Sequence, residues 1–209
     1  YHEQNFKRAF DLLLIFSKDE KEEVNSNSIR ELIASLFRLY TSESLANLEV
    51  KKEVINELNE KPEYQSLLLK VLRTALNFHE YGYVLKGSYD DGKLSSYGYQ
   101  PQTHEERLGW VDFLLNILNQ LDIKGVTDAR KIFVCYLKEI IWTCGQIDLV
   151  KSYLKKFNER DYFSKAHNRL LNIIKYNIDR LTNAPQLLLD LQDLEQYLRP
   201  RKFNVTELI

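Results

Sequence analysis

Apolar residues recur every three or four positions along almost the whole chain, and this is the period of an amphipathic α-helix. The clearest stripe comprises Trp110, Phe113, Leu114, Ile117, Leu118 and Leu121. The 209 residues include only seven glycines and four prolines, whereas sheets with many tight turns normally need more of both. We therefore expect an all-α protein of about nine helices, arranged as an irregular bundle or as stacked helical hairpins.

Two helix starts are marked by capping boxes, in which a Ser or Thr and a Glu three positions later each satisfy a free backbone N–H. Ser28 with Glu31 has this spacing, and so does Thr103 with Glu106. Both pairs come directly before an apolar stripe of helical period. Pro62 suits the first turn of another helix, where its missing N–H costs nothing. The apolar spacing predicts further helices over about 44–58, 62–78 and 160–181.

Length and composition predict how the chain is organised. A chain of 209 residues can bury one sizeable core and is short for two, so we expect a single helical domain over residues 1–209. The apolar fraction of 44% and a net charge of −1 are ordinary for a folded domain. Because the sequence contains no methionine, we interpret it as a segment of a longer protein.

Cysteine usage and hydropathy predict the compartment. Cys135 and Cys144 lie nine positions apart in one predicted helix, about 13 Å along its axis, so they cannot bridge. We expect both to be buried as small apolar side chains. No signal peptide and no apolar run near 18 residues is present, so we expect no membrane association and a cytoplasmic or other reducing location.

Residues 81–102 break the helical pattern. This stretch holds four of the seven glycines, and Asp91-Gly92 at its centre is a strong turn signal. We predict an excursion there, either a loop or a short two-stranded hairpin. Tyrosines combine a large contact area with a polar tip, which suits a protein partner or stacked bases, although they could equally cap the core. The tyrosines of this excursion are Tyr81, Tyr83, Tyr89, Tyr97 and Tyr99.

Motifs that carry chemistry are scarce. The sequence has no phosphate-binding glycine loop, no nucleophile elbow, and no zinc or calcium signature, so we expect no cofactor and no metal. An enzyme is accordingly the less favoured class. We predict a non-catalytic helical protein-interaction or scaffold module of a larger protein, which contacts a protein partner through the excursion or a groove between helices. Homo-oligomerisation stays open.

One arginine–histidine spacing supports a different hypothesis. Arg160 precedes His167 by seven residues in one predicted helix, so the two lie about 20° apart around its axis and about 10 Å along it. The spacing resembles the Arg-(four to six residues)-His motif of HEPN-type helical ribonucleases. That resemblance implies metal-independent RNA cleavage, with Arg160 and His167 as catalytic residues in a site formed across a dimer. A hydrogen-bonded histidine at the edge of the core is the alternative interpretation of His167.

Charge supports a third hypothesis, RNA binding without cleavage. Residues 1–150 carry 18 Lys and Arg against 23 Asp and Glu, whereas residues 151–209 carry 11 against 7. A basic face attracts phosphates, although such a face is more often simply solvated. The candidate nucleic-acid contacts are Lys151, Lys155, Lys156 and Arg169.

Overall fold

The computed structural model describes residues 2–18, 20, 28–39, 44–78, 98–144, 147–160 and 163–199. Those residues form ten α-helices and no strand, which confirms the predicted all-α class. The predicted hairpin lies mostly outside the described residues, and 98–102 form no strand. Contacts group the chain into two compact units, Tyr1–Cys144 and Gly145–Ile209. The expectation of a single domain over 1–209 stays a prediction.

The described residues of the first unit form six α-helices, with α4 at their centre. They are α1 (His2–Ser17), α2 (Ile29–Ser35), α3 (Leu48–Asn59), α4 (Gln65–Leu76), α5 (His104–Ile123) and α6 (Asp128–Cys144). Helix α4 packs against α2, α3, α5 and α6. Its buried side chains are Leu67, Leu68, Val71, Leu72, Ala75 and Leu76. Burial of each large apolar side chain contributes roughly 2 kcal/mol, so α4 supplies much of the core.

Helix α1 has two apolar faces. One face buries Phe6 and Phe10, whose rings lie 6.3 and 5.8 Å from the ring of Phe37 at steep angles. Such edge-to-face contacts add to the stabilisation that burial provides. The opposite face exposes three large apolar side chains, those of Leu12, Ile15 and Phe16.

Two predicted helix starts are wrong. Helix α3 begins at Leu48 rather than Ser44, because Asn47 Oδ1 caps it by accepting from the N–H of Val50 at 3.0 Å. Leu45 therefore precedes the helix and is 52% exposed. Pro62 opens a 3₁₀ turn that ends at Tyr64, and α4 itself begins only at Gln65.

The first capping box is half formed. Ser28 Oγ accepts from the N–H of Glu31 at 3.0 Å, as predicted, but the Glu31 carboxylate pairs with Lys70 at 2.6 Å instead. Glu20 provides further capping, because its carboxylate accepts from the N–H groups of Ile29 and Arg30 at 2.7 and 3.1 Å. The start of α2 is therefore capped by two side chains rather than by a reciprocal pair.

The turn from α5 to α6 explains why α5 ends where it does. Gly125 has φ +83°, and its N–H donates to Asp122 O while the N–H of Val126 donates to Leu121 O, both at 2.9 Å. This is a Schellman motif, which requires the left-handed conformation that glycine adopts without strain.

Lys51 is a charged residue in the core of the first unit. It lies in the middle of α3 and is fully buried. Loss of hydration disfavours its charged form and lowers the pKa of its amine to about 8.

The described part of the second unit is built around its last helix. It contains α7 (Ile147–Arg160), α8 (Ser164–Tyr176), α9 (Ile178–Thr182) and α10 (Pro185–Leu198). Helix α10 packs against each of the other three. Pro185 opens α10 at its first turn, where proline is favoured.

The prediction of one helix over 160–181 is wrong, because this segment is interrupted twice. Near the first break, Asn158 Oδ1 accepts from the N–H of Phe163 at 3.0 Å, and the Phe163 ring packs edge-on against Phe157 at 6.0 Å. At the second, Asn177 leaves the helical conformation and its Nδ2 donates to Ile173 O at 2.7 Å. Asparagine side chains compete in this way with helical backbone hydrogen bonds.

Cys135 is exposed, which contradicts the prediction that it is buried. It lies on α6 opposite the face that buries Ile132, Phe133 and Leu137. The side chain of Cys144 is outside the described residues. Among the helices that the structure describes, none has the length and apolar character needed to span a membrane.

Candidate functional site: a cleft at the start of two helices

The predicted tyrosine-rich contact surface is described at one residue only. Tyr81, Tyr83, Tyr89 and Tyr97 lie outside the described residues. Tyr99 is described, and it lines a cleft of about 390 Å³ in the first unit. The lining residues come from the first turn of α3, the first turns of α5 and the segment between: Asn47, Leu48, Glu49, Lys52, Tyr99, Glu105, Glu106 and Gly109.

Tyr99 is held at both its backbone and its hydroxyl group. Its N–H donates to Ser44 O at 2.7 Å, and its hydroxyl donates to Glu106 Oε1 at 2.8 Å. Desolvation, reinforced by the hydrogen bond to anionic Glu106, raises the pKa of Tyr99 to about 12. The hydroxyl therefore stays protonated and continues to donate at any physiological pH.

Glu106 organises the start of α5. The N–H of Glu106 donates to Thr103 Oγ1 at 3.1 Å, which confirms half of the second capping box. The Glu106 carboxylate reaches one residue further back and accepts from the N–H of Gln102 at 2.6 Å. That hydrogen bond and the one from Tyr99 hold the pKa of Glu106 below its ordinary value. Glu106 is therefore ionised at neutral pH, at a helix start where negative charge is favoured.

Two further carboxylates line the cleft beside Glu106. Glu105 is exposed, and hydrogen bonds from its own backbone N–H and from Thr103 lower its pKa. Glu49 pairs with Lys52 at 2.7 Å, and the Lys52 ammonium also lies 6.0 Å from the ring centre of Phe113. The lining thus carries three carboxylates and one ammonium group, so the cleft has a net negative charge.

Over the described residues, no group of three or more His, Cys, Asp or Glu side chains could hold a metal ion. Carboxylates that line a concave surface without forming a ligand set are suited to a cationic group that carries its own hydrogen-bond donors.

Gly109 lies in the wall of the cleft, within the 20-residue helix α5. A Cβ atom built on Gly109 would meet no described atom within 4 Å outside its own helix backbone. The glycine therefore leaves open space on the cleft side of α5.

The structure separates the two residues of the arginine–histidine motif. Arg160 is the last residue of α7, and His167 lies in the second turn of α8. The premise that both share one helix is therefore wrong, and so is the angle inferred from it. The Arg160 side chain is outside the described residues.

His167 lies at the edge of the core in the second unit, where its side chain is 12% exposed. Its Nε2 lies 2.8 Å from Glu195 Oε1, and this hydrogen bond links α8 to α10. Arg199 donates to the same carboxylate, at 2.9 Å to Oε1 and at 2.8 Å to Oε2. The hydrogen bonds from Arg199, and then that from His167, lower the pKa of Glu195. His167 therefore bridges two helices through a buried anion.

The lysines named as nucleic-acid contacts are engaged in local interactions. Lys151 pairs with Asp190 of α10 at 2.7 Å. The ammonium groups of Lys155 and Lys156 lie 5.5 Å from the Tyr197 ring and 4.6 Å from the Tyr153 ring. Arg169 lies on α8 and is partly buried. The structure brings the three lysines together on α7, where exposed Asp148 and Glu159 reduce the positive charge.

Sequence reasoning missed most of the cleft. Glu106 was identified for its capping role and Tyr99 for its place in the excursion, but Glu49, Lys52 and Gly109 were not identified. The useful signal was the tyrosine-rich stretch leading directly into a capping box, because a helix start and an aromatic side chain are then adjacent. No local signal pairs α5 with α3.

No protein-family model, no curated protein and no solved structure matches this chain.

Proposed function

We propose that this chain is a non-catalytic helical protein-interaction module, and that the cleft around Tyr99 is where it contacts its partner. The observation that carries the proposal is the concave surface of about 390 Å³ lined by an aromatic side chain and several polar groups. Binding sites are commonly concave, with a few convergent polar groups that determine orientation. A partly exposed tyrosine in such a surface is typical of the residues that dominate protein–protein binding.

The cleft is also organised before any partner arrives. Tyr99 and Glu106 hold each other, and the N–H groups of Tyr99 and Gln102 are bound to Ser44 and Glu106. Because these side chains are already ordered, a partner would lose little binding energy to their immobilisation. This pre-organisation favours a recognition site over an incidental surface depression.

The test is selection of random heptapeptides, displayed on phage, against the immobilised full chain. We expect peptides that bind the wild type and lose binding to Gly109→Leu, which fills the cleft from the wall of α5. The matched control is Asn116→Leu, because Asn116 is exposed two turns further along the same helix and does not line the cleft. Peptides that bind Gly109→Leu as well as the wild type would place the contact surface elsewhere.

A metal-independent ribonuclease is a second candidate, and the His167–Glu195 hydrogen bond favours it. A carboxylate that orients an imidazole is what a general-base histidine requires. The test is incubation with labelled single-stranded RNA in EDTA, comparing the wild type with His167→Ala and with Lys165→Ala as control. Cleavage lost only in His167→Ala would support the ribonuclease, and no cleavage by the wild type would eliminate it. Binding without cleavage that falls steeply with salt would indicate RNA binding through phosphate contacts.

A further inference from the structure

Gly109 is an unfavourable residue for its position. Within a helix, glycine costs about 1 kcal/mol relative to alanine, because it loses the most backbone freedom on folding. Such a cost is usually offset where another group must approach the helix backbone closely. Here no described atom outside the helix's own backbone lies within 4 Å of an added Cβ, so the described fold does not require glycine at this position. Gly109 lines the cleft, so this open space lies at the cleft, and a group from beyond the described residues has room to approach the helix backbone there.

The charge of the cleft indicates what that group carries. Lys52 is paired with Glu49, whereas Glu106 accepts from the neutral donors Tyr99 and Gln102. Glu105 is exposed beside them on the same helix turn. Glu105 and Glu106 thus place two carboxylates on successive residues at the cleft, where the electrostatic effect of Lys52, His104 and Arg107 helps to lower their pKa values. Because the hydrogen bonds to Glu106 come from neutral donors, a cationic group would gain charge-assisted hydrogen bonds from the pair.

We propose that the cleft binds an arginine side chain from an extended peptide segment, whose backbone passes over Gly109. Arginine fits better than lysine because its planar guanidinium can bind carboxylates in a bidentate manner and stack on the Tyr99 ring. The inference rests on the proposed function, since it names the chemistry of the partner at the same cleft.

The experiment extends the heptapeptide selection on the full chain. We expect the peptides lost with Gly109→Leu to be enriched in arginine and depleted in aspartate and glutamate. A fluorescein-labelled copy of the most enriched peptide is then compared with its citrulline analogue, which keeps the shape and hydrogen-bonding edge of arginine without the charge. Fluorescence anisotropy should show about tenfold weaker binding for the citrulline peptide.

Protein variants separate charge from shape. Glu105→Gln removes one carboxylate while nearly keeping the size of the side chain. It should weaken binding of the arginine peptide about tenfold. Glu63→Gln is the matched control, since Glu63 is exposed in the same unit and does not line the cleft. It should leave binding unchanged.

The outcomes distinguish the two proposals. If the selected peptides depend on Gly109 but lack arginine, or bind equally well as citrulline analogues, the arginine inference is overturned and the interaction module stands. If no selected peptide depends on Gly109, both proposals fail. An arginine peptide that is weakened by Gly109→Leu and Glu105→Gln, but not by Asn116→Leu or Glu63→Gln, supports both.

Discussion

Glu106 in the first unit and Glu195 in the second each accept hydrogen bonds from two or more groups, but the charges of those groups differ. Glu195 is 9% exposed, and its carboxylate accepts from His167 and from the guanidinium of Arg199. Glu106 accepts from a tyrosine hydroxyl and a backbone N–H, both of which are neutral. Each carboxyl has a lowered pKa, yet only Glu195 has a cationic partner in direct contact.

This difference separates a structural carboxylate from one suited to recognition. A buried anion whose hydrogen bonds go to side chains of its own unit stabilises the packing of that unit, and losing it leaves its partners unsatisfied. An anion held by neutral donors is ordered but keeps its charge, which in the proposed interaction faces the partner. Variants of Glu195 should therefore mainly lower stability, whereas variants of the residues that line the cleft around Glu106 should mainly weaken binding.

The largest effect is expected for Glu195→Ala. Removing this carboxylate leaves His167 without its buried hydrogen-bond partner and should lower the free energy of unfolding by about 2 kcal/mol. Urea unfolding followed by far-UV circular dichroism will measure it. Arg199→Ala is the comparison, and it should cost less because the Arg199 side chain is 64% exposed. An unchanged urea midpoint for Glu195→Ala would contradict the structural role.

The second prediction concerns pH. Because the pKa of Glu195 is lowered in the folded state, its charge stabilises the fold above the ordinary value of 4.5, and this stabilisation is lost as the pH falls through the lowered value. The stability advantage of the wild type over Glu195→Gln should therefore be full at pH 7 and smaller at pH 3. Urea midpoints at the two pH values will test it; an advantage independent of pH would show that charge is unimportant.

The third prediction is a gain in stability rather than a loss. Gly109→Ala should raise the free energy of unfolding by about 1 kcal/mol, because alanine is the better helix former and the site is open. The same variant should bind cleft-dependent peptides more weakly. Thermal unfolding and fluorescence anisotropy on one protein preparation measure both effects. A gain in stability with no loss of binding would show that Gly109 is not part of the contact surface.

A smaller effect is expected for Tyr99→Phe. The variant keeps the ring and removes the hydroxyl that donates to Glu106, so stability should fall by about 0.5–1 kcal/mol. Because folding raises the pKa of Tyr99 to about 12, the contribution of the hydroxyl is present below pH 10 and lost as the pH rises towards 12. Urea midpoints of the wild type and Tyr99→Phe at pH 7 will measure the difference. Equal midpoints would mean that the hydrogen bond only orients Glu106.

The smallest effect on stability is expected for Glu105→Gln. Its side chain is exposed, so the urea midpoint should match that of the wild type. The expected loss of peptide binding then cannot arise from unfolding. A large destabilisation would show that Glu105, like Glu195, stabilises the fold.

Much of the fold was predictable because helices leave a local signature. Apolar spacing and the capping residues Ser28 and Thr103 predicted helices that the structure confirms. Boundaries failed where side chains compete for backbone hydrogen bonds, as Asn47 and Asn177 do. An asparagine can cap a helix, interrupt it or lie exposed on its surface. The energy differences between these outcomes are small, so tertiary packing decides among them.

The sequence by itself determined the all-α class, because period and composition act within each helix and need no knowledge of its neighbours. Only the tertiary structure decided which polar residues are buried and which meet. Lys51 is fully buried although its neighbour Lys52 is partly exposed. His167 meets Glu195, 28 residues away, and Tyr99 shares a cleft with Glu49, because the packing of separate helices brings them together. Contacts between distant segments depend on how whole helix faces fit, and no short stretch of sequence encodes that fit.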